Sequence, residues 1–171
     1  ATSHYPNDEI SWICAMKQAC LYGKRTMREG FQRNMRNPNF ERQCEDCIRE
    51  MIEAHYNHPS IYIWGILNEC ASHTEYGKEC YRKQYELIRQ LDQSRPRSSA
   101  SCQFKTDICF GLPEVVSYNI YPLWYHDTPV QDYLKGLYDW VQEESEGAGK
   151  PIFDNGDGRG RHLWLPHTFP G

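Results

Sequence analysis

The sequence lacks several features that would mark other classes of protein. It has no apolar run of membrane-spanning length and no leader in which basic residues precede an apolar segment. Its 19 basic residues are scattered and the formal net charge is −4, so no nucleic-acid-binding surface is indicated. Neither a second Cys-x-x-Cys pair nor a spaced histidine pair accompanies Cys44 and Cys47, as a zinc site would require. We therefore expect no membrane or nucleic-acid partner, no metal and no cofactor.

Cysteine is plentiful, with eight residues, but shows no regular spacing. In a secreted chain of this size that number would raise the question of disulfides. Cys44 and Cys47 instead fall within a helical pattern, and the remaining cysteines show no repeat. We interpret them as reduced structural thiols, which favours a reducing, cytoplasmic location.

Predicted helices and strands alternate along the 171 residues. Asn37-Pro38 is typical of a helix start, with the amide as N-cap and the proline in the first turn. The predicted elements are a helix over 37–56, a strand over 61–67, a helix over 76–91, strands over 98–101 and 115–121, a helix over 129–144, and a further strand after a turn at 147–151. This alternation predicts an α/β fold in which helices cover a parallel sheet.

The most informative segment is residues 57–69, which read N-H-P-S-I-Y-I-W-G-I-L-N-E. A polar turn with a proline leads into a β-branched and aromatic run, which ends in the adjacent amide and carboxylate of Asn68 and Glu69. In an α/β barrel, catalytic residues lie at the carboxyl ends of the strands. A carboxyl group held there beside an amide suits the general acid of glycoside cleavage.

The segment resembles the acid/base strand of glycoside hydrolase family 2, which includes the β-galactosidases and β-glucuronidases. The resemblance implies a partial (β/α)8 TIM barrel, running roughly from the loop after strand 2 to strand 7. Residues 2–8 resemble the loop after the second strand, and residues 115–121 resemble the sixth strand. Because a complete barrel needs about 250 residues, we expect a fragment without the first strands, the last strand and the accessory β-sandwich domains.

The resemblance also implies roles for individual residues. Glu69 corresponds to the family's general acid/base, and Asn68 to the amide that binds the sugar 2-hydroxyl. His4, in S-H-Y-P-N-D, corresponds to a substrate-pocket loop. Asn119, Tyr121 and Trp124 match the pattern N-x-Y-x-x-W, whose aromatic residues line the sugar site.

Simpler interpretations of the same residues stay open. Asn68-Glu69 would also serve as a cap for the following helix, His4 as a structural histidine, and Tyr121 as a rim residue packing on Pro122. His58 and Trp64 are expected to be structural. The implied substrate is a terminal β-galactoside or β-glucuronide, and the sequence does not choose between them. The oligomeric state also stays open, with a homo-oligomer one option for the full-length protein.

The resemblance fails at the second carboxylate. The family's nucleophile strand reads K-P-x-x-x-T-E-x-G, whereas residues 150–158 read K-P-I-F-D-N-G-D-G, which places Gly156 at the glutamate position. Asp157 is one residue away, and on a strand its side chain would face the opposite side. Retaining hydrolysis requires that nucleophile. We therefore expect the chain as written to be inactive, with a non-catalytic carbohydrate-binding remnant or an unstable pseudogene product as alternatives.

A shifted reading frame would explain this departure. Degenerate codons for residues 152–166 can be chosen so that a shifted frame encodes F-L-I-T-E-M-G-A-G-G-I-Y-G, which resembles the missing strand. The same operation on residues 10–34 yields segments resembling the family's third strand and the helix before it. We therefore predict frame errors on both sides of an intact core, residues 35–151.

Overall fold

The computed structural model describes residues 35–120 and 129–154, together with the backbone of residues 163–165. Three α-helices and five strands lie in these ranges. The helices are α1 (Pro38–His55), α2 (Glu75–Leu91) and α3 (Val130–Glu144), with a 3₁₀ turn at Phe104–Thr106. The strands are β1 (Trp64–Ile66), β2 (Arg97–Ser101), β3 (Val116–Tyr118), β4 (Ile152–Asp154) and β5 (Leu163–Leu165).

The five strands form one sheet in chain order, and the first four are parallel. Helix α2 connects β1 to β2, and α3 connects β3 to β4, as in the predicted alternation. Ile66 pairs with Ser99, Ala100 with Ser117, and Tyr118 with Asp154. The predicted α/β architecture of a partial barrel is confirmed, with four neighbouring parallel strands.

The fifth strand departs from the all-parallel prediction. β5 pairs with β4 in the antiparallel direction, with Phe153 opposite Trp164. Only residues 155–162 separate the two strands. A parallel pair needs a crossover of about a dozen residues or more, so a connection this short returns the chain antiparallel. The edge where a barrel would continue with a parallel strand is therefore occupied by a hairpin.

The predicted start of α1 is confirmed by its cap. Asn37 accepts a hydrogen bond from the backbone N–H of Asn39 at 2.9 Å, and Pro38 occupies the first turn of α1. Thr74 caps α2 by accepting from the N–H of Gly77 at 3.2 Å. An apolar stripe on each helix is buried against the sheet, as helical spacing requires. The buried apolar side chains are Phe40, Cys44, Ile48, Met51 and Ile52 on α1, Tyr81, Tyr85, Leu87 and Ile88 on α2, and Leu134, Leu137 and Val141 on α3.

The two faces of the parallel sheet are covered differently. Trp64 and Ile66 pack in one cluster with α1 and α2, while Val116, Tyr118 and Ile152 pack in another with α3. Alternate residues of the strands face the opposite side, where Ile63, Val115 and Phe153 form a third cluster. The remaining residues of that face are small, namely Gly65, Ser98, Ala100 and Ser117. This is the face that a closed barrel turns toward its axis.

Two strands are shorter than predicted. β1 begins at Trp64 rather than Ile61, because the N–H of Ile61 bonds the carbonyl of His58 in a turn. It ends at Ile66, since Leu67 has a φ of 34° and leaves strand geometry. The predicted 115–121 strand is observed at Val116–Tyr118, and Tyr121 lies outside the described residues. Among the helices that the structure describes, none has the length and apolar character to cross a membrane.

A buried ionic contact closes the amino end of the sheet. The Asp92 carboxylate accepts from Trp64 Nε1 at 2.8 Å and from the Arg95 guanidinium at 2.6 Å. Arg95 also donates to the backbone carbonyls of Ile61 at 2.8 Å and Tyr56 at 2.7 Å. These contacts anchor the turn N-H-P-S before β1, and they confirm the structural interpretation of Trp64.

Candidate active site

Three of the predicted site residues lie together at the carboxyl edge of the parallel sheet. Asn68 and Glu69 follow β1 almost directly, and Asn119 immediately follows β3. The backbone hydrogen bonds between neighbouring strands extend to Glu69 and Asn119. Glu69 N–H donates to Ala100 O at 2.8 Å, and Asn119 N–H donates to Ser101 O at 2.9 Å. The carboxyl end of a barrel strand is where catalytic groups are found. The structure thus brings these three predicted residues to one rim.

The side chains of these residues share one hydrogen-bond network. Asn119 Nδ2 donates to Asn68 Oδ1 at 2.7 Å and to Glu69 Oε1 at 2.9 Å. β1 and β3 flank β2, so their backbones are about 9.6 Å apart at a strand spacing of about 4.8 Å. The side chains of Asn119 and Glu69 therefore bridge the width of β2, the strand between them. The two N–H bonds of one amide therefore hold both groups in a fixed relation.

The backbone around Asn68 is held in a conformation that non-glycine residues seldom adopt. Leu67 has a φ of 34° and Glu69 a φ of 54°, on either side of Asn68. Such left-handed residues cost about 1–3 kcal/mol each and persist only where surrounding contacts impose them. Here the bond from Glu69 N–H to Ala100 O and the burial of Leu67 impose them. The chain is thereby turned so that two consecutive side chains both project from the rim.

Glu69 and Asn68 are partly exposed, whereas Asn119 is buried. A partly exposed carboxyl group with one fixed oxygen can still present its other oxygen to a ligand. The alternative interpretation, in which Asn68-Glu69 caps the next helix, does not match the structure, since Thr74 is the N-cap of α2. The site can therefore offer one carboxyl group and two amide groups to a polar molecule.

The remaining predicted site residues lie outside the described residues. These are His4, Tyr121, Trp124 and the two positions discussed for a nucleophile, Gly156 and Asp157. Backbone register still shows where the chain leads. β4 ends at Asp154, which pairs with Tyr118, the residue before Asn119. The strand that corresponds to the family's nucleophile strand thus ends at the same rim as Glu69.

A buried carboxylate behind the rim was not anticipated from the sequence. Asp107 is 5% exposed, and it accepts hydrogen bonds from the hydroxyls of Ser72 and Ser101 and from Cys109 N–H. Burial raises the pKa of Asp107 above its ordinary value, against the opposing effect of the serine hydroxyls. Its sequence neighbourhood, F-K-T-D-I-C, has no period or motif, so no local signal was available.

Comparison with known proteins shows which family the chain resembles. A family model described as "Glycosyl hydrolases family 2, TIM barrel domain" matches residues 1–156. The crystal structure of a GH2 β-galacturonidase from Eisenbergiella tayi, bound to galacturonate, is 77% identical with a TM-score of 0.69; the match covers 71% of this chain and 22% of that one.

Curated relatives include β-glucuronidases. That of Bacteroides fragilis is 35% identical over 91 residues, which is 53% of this chain and 13% of the relative. That of Sus scrofa is 27% identical over 134 residues, which is 74% of this chain and 20% of the relative. The chain thus spans a fifth or less of the length of these curated relatives.

Proposed function

This chain belongs to glycoside hydrolase family 2, and we propose that it is the acid/base half of the catalytic barrel of a retaining β-glycosidase. The observation that carries the proposal is the hydrogen-bonded group of Glu69, Asn68 and Asn119 at the carboxyl rim of the sheet. In this proposal Glu69 protonates the departing glycosidic oxygen and later takes a proton from water. Asn68 binds the sugar 2-hydroxyl, a contact that strengthens in the transition state.

We propose a terminal β-galacturonide as the substrate class. The sequence alone left galactosides and glucuronides open. The 77% identity to the Eisenbergiella tayi β-galacturonidase favours a sugar with a carboxylate at its sixth carbon and galacto configuration. The β-glucuronidases among the relatives support the preference for a uronic acid at lower identity.

The second carboxylate of the mechanism is missing from the chain as written. Retaining enzymes hold two carboxyl groups about 5–5.5 Å apart, one as proton donor and one as nucleophile. The matching position after β4 is Gly156, whose hydrogen side chain cannot form a glycosyl–enzyme bond. The expected result for this polypeptide is therefore no turnover of a chromogenic β-galacturonide.

Resequencing the coding DNA tests the origin of the defect. If frame errors lie in the codons for residues 10–34 and 152–166, correcting them restores a glutamate at position 156. Codons that cannot encode F-L-I-T-E-M-G in any frame would refute this explanation. The corrected gene, read through its natural flanking DNA, would then supply the enzyme on which Glu69 is tested.

In that enzyme, Glu69→Gln should lower kcat/KM strongly for a galacturonide with an alcohol leaving group. The loss should be smaller for a 4-nitrophenyl galacturonide, because nitrophenolate departs with little help from a proton donor. Glu75→Gln is a matched control, since Glu75 is an exposed glutamate six residues away on α2.

Equal losses for both leaving groups would contradict the proton-donor role of Glu69. Binding of galacturonate by the 171-residue chain without turnover, measured by NMR titration, would favour the carbohydrate-binding remnant as its present function. A one-dimensional NMR spectrum without dispersed signals would instead support the unstable product.

A further inference from the structure

We propose that Asp107 is a positioning residue for the proton donor, because it fixes the loop that carries Asn68 and Glu69 against the end of β2. The inference rests on the proposed function in that it takes Glu69 to be the group that moves a proton. Asp107 does not touch the sugar site itself. It acts through Ser72, three residues after Glu69 in the same loop.

The Asp107 carboxylate joins two loops that both leave the carboxyl edge. One oxygen, Oδ2, accepts from the Ser72 hydroxyl and from Ser101 Oγ at 2.5 Å, and Oδ1 accepts from Cys109 N–H at 2.7 Å. Ser101 is the last residue of β2, whereas Ser72 lies in the loop after β1. A single buried carboxylate thus ties the loop after β1 to the adjacent strand.

Further contacts converge on the same short stretch of backbone. The carbonyl of Ser72 accepts from Ile108 N–H at 3.0 Å and from Cys109 Sγ at 3.3 Å. The carbonyl of Cys70 accepts from Gln103 Nε2 at 3.3 Å. The loop following Glu69 is therefore held at alternate residues by the segment that surrounds Asp107.

This anchorage bears on Glu69 because the backbone there is strained. A residue with a φ of 54° relaxes toward ordinary geometry unless contacts on both sides prevent it. On the strand side, Glu69 N–H bonds Ala100 O at 2.8 Å. On the loop side, the nearest anchors are Cys70 and Ser72. Releasing Ser72 would let the chain at Glu69 rotate and carry its carboxyl group away from Asn119.

The chain offers a matched control for this inference. Asp92 is also a buried carboxylate that accepts from a serine hydroxyl, Ser94 Oγ at 2.6 Å, but it lies at the amino end of the sheet. Asparagine at either position removes the charge and one of the two acceptor oxygens of a buried carboxylate. Only substitution at Asp107 should disturb the carboxyl rim.

The experiment measures the Asn119 side-chain amide in ¹⁵N-labelled 171-residue protein. Its N–H signals, assigned by their loss in Asn119→Ala, report the bonds to Asn68 and Glu69 directly. In Asp107→Asn, exchange of these protons with water should accelerate about tenfold. Losing roughly one hydrogen bond raises the population of the opened, exchanging state by about that factor. The chemical shifts of both Asn119 N–H protons should also move toward those of an amide without these acceptors.

Ser72→Ala removes a single hydroxyl and retains the Ser72 carbonyl contacts, so it provides a milder variant should Asp107→Asn not fold. Ser72→Ala should produce the same changes in the Asn119 signals, but smaller ones. Asp92→Asn should leave the Asn119 signals unchanged. Unaltered Asn119 exchange and chemical shifts in Ser72→Ala would overturn the proposal, as would equal changes in Asp92→Asn. Because no step measures hydrolysis, a failure here is distinct from a failure of the proposed function.

Discussion

Replacing Asp92 by asparagine tests whether the buried contact at the amino end stabilises the fold. The Asp92 side chain is fully buried, and that of its partner Arg95 is 16% exposed. Trp64 Nε1, Ser94 N–H and Ser94 Oγ all donate to the same carboxylate, at 2.8, 2.8 and 2.6 Å. Asp92→Asn keeps the size of the side chain but removes its charge and one acceptor oxygen.

The expected loss in the free energy of unfolding depends on which hydrogen-bond acceptors Arg95 keeps. Removing one member of a buried ion pair costs about 3–5 kcal/mol, because the other charge loses its compensation. Arg95 keeps the backbone carbonyls of Tyr56, His58 and Ile61 as acceptors. We therefore expect a loss near the lower limit, about 3 kcal/mol. With a urea m-value of about 1–3 kcal/mol/M, the unfolding midpoint should fall by about 1 M or more.

The effect should depend on pH in a defined direction. Burial favours the neutral acid, but hydrogen bonds from Ser94, Trp64 and Arg95 outweigh it and hold the pKa of Asp92 well below its usual range. A carboxylate with a depressed folded-state pKa contributes its full stability above its unfolded pKa, about 3.9. That contribution is lost as the pH falls through the folded value. The difference between wild type and Asp92→Asn should thus be constant near neutrality and shrink below about pH 4.

Urea unfolding followed by circular dichroism at 222 nm, at pH 7 and at pH 3, measures both effects. Glu79→Gln serves as the control, because Glu79 and Arg82 form an exposed pair on α2 whose loss should leave the midpoint unchanged. An Asp92→Asn midpoint equal to wild type at pH 7 would refute the stabilising role. A difference that grows on acidification would refute the assigned direction of the pKa.

Two further predictions concern packing and thiol chemistry. Gly77→Ala should lower the urea unfolding midpoint strongly, since the added Cβ would lie 2.0 Å from the carbonyl oxygen of Ala71. Gly136→Ala should instead stabilise α3 by about 1 kcal/mol, because no atom lies within 4 Å of the added Cβ. A change in the free energy of unfolding with the same sign in both variants would contradict this prediction. Burial, with smaller contributions from neighbouring Cys47 and Cys80, raises the pKa of Cys44 to about 12. Treatment with iodoacetamide at pH 8 should therefore leave Cys44 unmodified until the protein unfolds, as measured by mass spectrometry. Rapid labelling of Cys44 in the folded chain would count against its burial.

The sequence was informative wherever the signal is local. Asn37-Pro38 determines the start of α1 through a cap that spans two residues. The abrupt change from apolar residues to Asn68-Glu69 locates the carboxyl end of β1 because a strand ends where its buried run ends. Alternation of helices and strands then implies parallel neighbours, which place the ends of β1 and β3 at one edge.

What sequence reasoning missed depends on contacts between distant segments. The bond from Asn119 to Glu69 joins residues 50 apart in the sequence, and it forms across β2, which lies between their strands. Asp107 meets Ser72 across 35 residues, with no periodic pattern around either one. The antiparallel direction of β5 follows from the short connection between β4 and β5, residues 155–162.

The arrangement of strands separates the two halves of the proposed mechanism. Glu69, Asn68, Asn119 and the Asp107 anchor all belong to β1, β2 and β3 with the loops that follow them. The family's nucleophile would instead follow β4, which pairs with β3. A defect after residue 154 can therefore remove the nucleophile while the proton-donor group retains its geometry. For this reason we propose that restoring the segment after β4, rather than altering the rim at Glu69, is the change that supplies the missing nucleophile.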